Sequence, residues 1–585
     1  MSTTMVSRLY SGFRGVDFRG DEINLTRSPD SLNVWKDYKE TDSIRTRPGL
    51  VLENDFSDPV YGVFFFNGFQ IVHSGTKLYK VRNGVKTVIH SGLKAANSDS
   101  FIYDNTWYFK DGKNYLQYDG TTVKEVVGYV PTTSIGRKPA GGGTIYQDVN
   151  LLIGRRINTF LADGTSKEYF LDAQKIDSAV KPVVKVNDKK VTNFTVDYTK
   201  GKITFTTAPA APKTDGQDNV SIEFQKNVAG YPERIKNCTM LQVFDNRVFF
   251  SGNKDFPNTV WHCSLDDPSY CSDLDYYHEG LDNAAVKGMV ASNDALWVFR
   301  EPSQANTTVF YHQPTTDADY GKIYPSRHSS VTTGCVGKAI NFNDDIIFFS
   351  ERGMEGISGE VTTEQVVAHR SSLVDRKMTT EEGYKNMILA EWEGYLLVFI
   401  GDKVYLADSR TAFTNQDHRE YEWFYWQLEK KILCARVDKG VLYLGTEDGV
   451  YTLTDFDCDV ESYWVTPKDK FKNPNKQKTT NKRGCVIEAT GDVSVFAKTE
   501  STGFELVGDY KDVSDCFVVR MKMKKFKDLQ MKFHSKSRFS LETASIECFI
   551  GGYIKRPAVA SSGGTSNTDD VLTDEMIDNL MNMVK

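Results

Sequence analysis

One hairpin pattern recurs along most of the chain, and it constrains the fold more than any other feature. Met240 to Phe244 is an apolar strand that meets the turn Asp245-Asn246; Arg247 to Ser251 returns, and Thr259 to Cys263 follows as a third strand. Asp and Asn tolerate the left-handed backbone of a two-residue turn, and the flanking aromatic and β-branched residues suit a pleated surface. The same unit turns at Asn67-Gly68, Asp104-Asn105, Asn293-Asp294, Asn343-Asp344-Asp345, Glu393-Gly394 and Asp438-Lys439-Gly440. A lone hairpin cannot bury its own face. Turns spaced about 37 to 50 residues apart, with three or four short strands each, predict β-propeller blades that cover one another. The expected fold is all-β: a propeller of about seven blades, or six if the first copy is incomplete. It occupies 57–132 and 231–456. An open β-solenoid is the competing arrangement, although its repeats are usually shorter and more uniform.

The spacing breaks once, by a gap of about 140 residues between the second and third copies. Residues 133–230 alternate as strands around Asn187-Asp188 and Lys200-Gly201, which predicts an inserted β-sandwich. Residues 1–56 carry turn signals, Pro48-Gly49 among them as the centre of a type II turn, and are expected to dock a strand on a later sheet. After Asp457 the blade pattern stops. Strands at 485–489, 493–498, 517–522, 529–533 and 546–550 predict a C-terminal β-sandwich over 457–556. Residues 557–585 read as a flexible linker and a short helix, with Thr573 as its cap, Asp574 and Glu575 in its first turn, and Ile577, Leu580 and Val584 on one face.

With 40% hydrophobic and 25% charged residues, the chain has the composition of a well-cored protein. A net charge of -7 argues against wrapping nucleic acid generally but leaves room for a local basic face. No secretory signal is readable at the start, and no apolar run approaches the ~20 residues of a membrane helix, so no membrane insertion is expected. The nine Cys form no CxxC pair and are expected to be buried thiols; the sequons at Asn193 and Asn237 are then chance matches.

The acids and histidines are the residues that could carry chemistry. Asp266-Asp267, Glu391 with Glu393, and Glu420 with Glu422 are paired carboxylates, but a glycosidase needs two carboxyls ~5–9.5 Å apart across a sugar. Pairs in polar turns or strands are usually solvated, so no catalytic residue is assigned and no enzyme is expected. The nine His show no HExxH, and Asn343-Asp344-Asp345 and Asp273-Leu274-Asp275 lack the ligand series of a Ca²⁺ loop; no metal or cofactor is expected. One site stands out by charge: Lys468, Lys470, Lys472, Lys476, Lys478, Lys482 and Arg483, in a Pro-broken polar stretch read as an exposed loop. Arg520, Lys522, Lys524, Lys525 and Lys527 follow in the same domain. A solvated or partner-facing loop is expected first, and contact with DNA phosphates second.

Several short motifs resemble a family of tailed-bacteriophage tail proteins, the stabilisation or tail nozzle (hub) proteins with a β-propeller core. They are Ser28-Pro29-Asp30-Ser31-Leu32-Asn33, Arg47-Pro48-Gly49, Ser251-Gly252-Asn253-Lys254-Asp255 with Phe256-Pro257-Asn258, Ser264-Leu265-Asp266-Asp267-Pro268, and Trp297-Val298-Phe299-Arg300-Glu301-Pro302. In the insertion, Val196-Asp197-Tyr198, Gly201, Ile203-Thr204-Phe205 and Ala208-Pro209 resemble a sandwich module of phage structural proteins. The resemblance implies a structural virion protein of the tail, assembled in the bacterial host cytoplasm. It implies a homo-oligomeric ring, often six-fold, below portal and adaptor proteins, which closes the channel, retains the packaged double-stranded DNA and passes it during ejection. The family brings no catalytic residues. A tail-tip propeller that binds or cleaves glycans is the alternative from another class, and a cellular propeller scaffold is the third.

Overall fold

The computed structural model describes residues 4–37, 40–292, 294–305, 307–318, 321–358, 366–415 and 418–554. Seven four-stranded antiparallel sheets succeed one another as propeller blades. Their innermost strands are Val60–Phe66, Asp99–Tyr103, Met240–Phe244, Val286–Ala291, Ala339–Phe342, Ile388–Trp392 and Cys434–Asp438. The hairpin turns form for the expected reason. Asn67 and Gly68, Asp104 and Asn105, Asp245 and Asn246, Asn343 and Asp344, Glu393 and Gly394, and Lys439 and Gly440 all hold positive φ, as a two-residue I′ turn demands. Asn293 lies outside the described residues.

Each pair of neighbouring blades shares one apolar cluster. Phe64, Phe66, Trp107 and Phe109 join blades 1 and 2; Val290, Phe299, Phe348 and Ile357 join blades 4 and 5. Strands in the middle of a blade are therefore covered on both faces, and Leu296–Arg300 and Tyr395–Ile400 are buried at every position. The ring closes through an exchange of strands. Blade 7 takes three strands from 434–455 and its outer strand from Gly49–Asp55, which then leads directly into the inner strand of blade 1. Pro48-Gly49 is thus not a turn: Gly49 opens that strand, and its missing side chain makes room for Cys458, whose Sγ would lie 2.6 Å from a Cβ.

The insertion holds a six-stranded and a three-stranded sheet over 132–225, packed around Phe160, Tyr169, Ile203 and Ile222. It returns to blade 3 through the helix Tyr231–Lys236, which the sequence reading missed although Pro232 in its first turn and Glu233 beside it are helix-start signals. Beyond the propeller lies an eleven-stranded curved sheet. Its spine is the long strand Lys476–Thr499, read from sequence as two separate strands, paired with Phe539–Tyr553. The N-terminal segment belongs to this sheet as well. Thr4–Tyr10 and Glu40–Thr46 pair with Phe539–Tyr553, and Ser31–Leu32 pairs with Ser462–Val465. Trp35 bridges the sheet to the propeller, stacked on Trp392 at 5.5 Å and edge-on to Trp426 at 5.6 Å. The expected linker and helix of 557–585 lie outside the described residues.

Candidate functional site

Where the seven inner strands begin, their ends line a funnel of about 350 Å³ on the propeller axis. Its wall includes Tyr61, Asn97, Asp99, Lys287, Lys338 and Ala435. The charges are mixed. Lys287 is paired with Glu301 at 3.4 Å, and burial pushes the Asp99 carboxyl upward while Arg436 and Lys338 pull it back. Such a mouth selects neither anions nor cations strongly. None of these residues stood out in sequence, because they come from the starts of inner strands in five different blades and are scattered from 61 to 435.

The basic segment does not form one exposed loop. Its first part is a docked turn: Phe471 is fully buried, and Asp469 accepts from Arg8 Nε at 2.8 Å and from Tyr10 Oη at 3.2 Å. Lys468 pairs with Asp528 and Lys470 with Glu22. Lys472 is exposed. Lys476 and Lys478 lie on the long strand Lys476–Thr499, and Lys478 is buried. Its Nζ donates to the carbonyls of Asn473 and Lys527, both at 2.6 Å, and burial lowers its pKa. Hydrogen bonds to two carbonyls replace hydration there, which is the condition for burying a cation. Lys482 and Arg483 sit exposed at an irregularity between Thr480 and Cys485. The same strand brings the second basic run alongside, with Thr479 opposite Lys524.

Several residues of the motifs that carry the resemblance sit at junctions, and others brace single blades. Arg47, fully buried, donates to Asn33 Oδ1 at 3.0 Å, to the carbonyls of Pro48 and Gln427, and to Glu429. Asn33, in the left-handed region, also accepts from the Gln427 amide and donates to the Glu461 carbonyl. Blade 6, the strand that closes blade 7 and the C-terminal sheet are all tied at this point. In blade 3, Asn253 donates to the carbonyls of Glu233 and Arg234 at the helix end. Lys110 of blade 2 caps the same helix through Ile235 and Lys236, at the cost of a pKa lowered to about 8 by burial. Arg300, buried, holds the carbonyls of Ala284 and Thr307 and the Asp282 carboxylate.

Contrary to the expectation that the acid pairs are solvated, Glu422 is fully buried and clamped by Arg27 at 2.8 and 2.9 Å. Burial raises its pKa although Arg27 opposes the shift. Glu420 accepts from Ser372 Oγ at 2.6 Å. Asp266-Asp267 shapes a turn, with Asp267 accepting from the Ser269 amide and hydroxyl; Glu391 and Glu393 are exposed. Two histidines are held between acceptors. His312 lies between the Tyr324 carbonyl and Glu279, and His369 lies between Glu355 and Asp375. Among the described residues no group of three or more His, Cys, Asp or Glu side chains is arranged to hold a metal ion. Six of the nine unbridged Cys are buried; Cys516 is exposed, against expectation.

No family model matches the chain, and no curated protein sequence matches it. Among solved structures it is similar to BamB from Moraxella catarrhalis, at 10% identity over 77% of this chain and 97% of that one, TM-score 0.32. It is similar also to the computationally designed Ika8 protein, at 10% identity over 69% and 98%, TM-score 0.31. A third is the exo-β-1,3-galactanase from Phanerochaete chrysosporium, at 9% identity over 52% and 94%, TM-score 0.21. At this similarity the reading of the chain rests on its own residues.

Proposed function

We propose that this chain is a structural subunit of a bacteriophage tail, a nozzle or hub protein that forms a ring below the portal and adaptor and retains the packaged genome. One observation carries the reading. Three residues of the motifs that resemble the tail family tie domains together: Asn33 and Arg47 at the propeller–sheet junction and Asn253 at the insertion's return. A propeller braced at two places by side domains is a stiff body with contact faces in several directions, which suits a ring. The duplex then runs between copies. The axial funnel of about 350 Å³ has room for about a dozen waters, whereas a major groove alone is about 12 Å wide.

Cryo-electron microscopy of particles that carry the chain tests the reading. A ring of copies beneath the portal–adaptor complex, with the DNA channel at its centre, is the expected density. Density confined to peripheral fibres would sink it and bring assays on host polysaccharide to the front.

A further inference from the structure

The C-terminal sheet presents an unpartnered outer face. Across four strands, Lys524, Thr479, Phe549 and Met5 stand directly opposite one another, so their side chains share one side of the sheet. A second row runs Val518, Val486, Ser545, Leu9 on the same side. Met5, Leu9, Val518 and Phe549 are exposed there, 53%, 57%, 47% and 36% respectively. Lys524 stands in the first row, Lys522 and Lys525 lie next to it along the chain, and Lys482 and Arg483 lie at the irregularity between the two rows, all exposed. Among the described residues no carboxylate pairs with Lys522, Lys524 or Lys525. Two acids lie within the face and both are engaged, Glu547 by Asn481 at 2.8 Å and Glu488 by Thr543 at 3.2 Å. Apolar residues with a basic border on an open sheet call for an amphipathic, acidic occupant.

The chain itself carries such a segment. Residues 569–578, DDVLTDEMID, hold five acids and no base among apolar residues, and Leu580 and Val584 extend the apolar pattern. The tether starts in the face: the strand Phe539–Tyr553 contributes Phe549, and the Ile554 amide donates to the Asn475 carbonyl. The fourteen residues 555–568, with Ser-Ser-Gly-Gly at their centre, can span roughly 20 Å, enough to double back over the few strand residues between Ile554 and Phe549. We propose that residues 569–584 dock on this face of their own chain, with acids on the lysine border and apolar side chains over Met5, Leu9, Val518 and Phe549. A tether of this length holds the segment at an effective concentration of order mM, which favours its own chain over a neighbour's in dilute solution.

Amine acetylation of the full chain, read by peptide mass spectrometry, tests this. Lys522, Lys524 and Lys525 are expected to react about tenfold more slowly than in the variant carrying D569N, D570N, D574N, E575Q and D578N; that factor corresponds to about 90% occupancy of the face by the tethered segment. High salt should remove the difference, and Lys189 and Lys190 of the insertion should react equally in both proteins. Equal reactivity of the three lysines in both proteins would overturn the docking. Carbodiimide coupling of a dilute mixture of ¹⁴N- and ¹⁵N-labelled chains identifies the source of the segment. Links between Lys524 and Asp574 within one isotope are expected; mixed-isotope links would overturn docking on the chain's own face.

Discussion

Arg47 sits where its loss is costly. Its guanidinium is buried and satisfies Asn33 Oδ1 and the carbonyls of Pro48 and Gln427; the contact with Glu429, which is largely exposed, adds little. Arg47→Met keeps the volume but leaves those acceptors dry, and should destabilise the fold by about 2–4 kcal/mol in urea titrations followed by Trp fluorescence. A loss below 0.5 kcal/mol, the range of ordinary surface changes, would show that the junction does not depend on it. The histidines divide by environment in the same way. His369 faces two carboxylates, which outweigh its burial and raise its pKa to about 10, whereas burial lowers His73 and His262 to about 4. With an unfolded value near 6.5, the raised group stabilises fully below about pH 6.5, and its contribution fades as pH climbs towards 10. The two lowered groups stabilise above about pH 6.5 and lose their contribution as pH falls towards 4. Apparent melting temperature should therefore peak near neutrality. His369→Gln should flatten the alkaline limb alone; an unchanged alkaline limb would remove His369 as its cause.

At the scale of elements, what could be read from sequence was what local chemistry writes. Asp245-Asn246 and Glu393-Gly394 announce hairpins because few residues accept positive φ. Long-range pairing leaves no such mark. Nothing local in Gly49–Asp55 says that it completes a blade whose other strands lie almost 400 residues away, and nothing in Thr4–Tyr10 points to Phe539–Tyr553. Charge misled in the other direction: Lys476 and Lys478 looked like loop, yet Lys478 is a sheet residue whose cation is held by two carbonyls. The axial funnel was invisible for a related reason, since no two of its blades are neighbours in sequence by less than a whole repeat. The closure of blade 7 is open to a direct test. A Cβ on Gly449 would meet the Asn54 carbonyl at 2.6 Å and Leu52 at 2.9 Å, so Gly449→Val should push Gly49–Asp55 off its neighbour. Amides of 49–55 and 449–455 should lose at least tenfold of their hydrogen-exchange protection, about 1.4 kcal/mol of local stability, while Val220–Gln225 in the insertion keeps its own. Unchanged protection in 49–55 would mean that the blade tolerates the side chain and that closure does not rest on this contact.

For the molecule as a whole, the seven shared clusters and the exchanged strand make the propeller a closed ring, and the N-terminal segment fastens the C-terminal sheet to it. A body of this kind transmits force through its rim, and its axis is a by-product of closure. If copies of the chain surround a DNA channel, the axis of each propeller should be irrelevant to DNA passage, whereas a chain that works through its funnel should depend on that mouth. Asn97 separates the two cases because it lines the mouth and is exposed, so Asn97→Trp fills the opening without entering a core. Particles carrying Asn97→Trp should package and eject DNA as the parent does, with melting of the isolated chain unchanged. A block in ejection with melting intact would place the working passage on the propeller axis and end the inter-subunit reading. A ligand-binding role for the funnel would appear as lost binding in the isolated Asn97→Trp chain, independent of any particle.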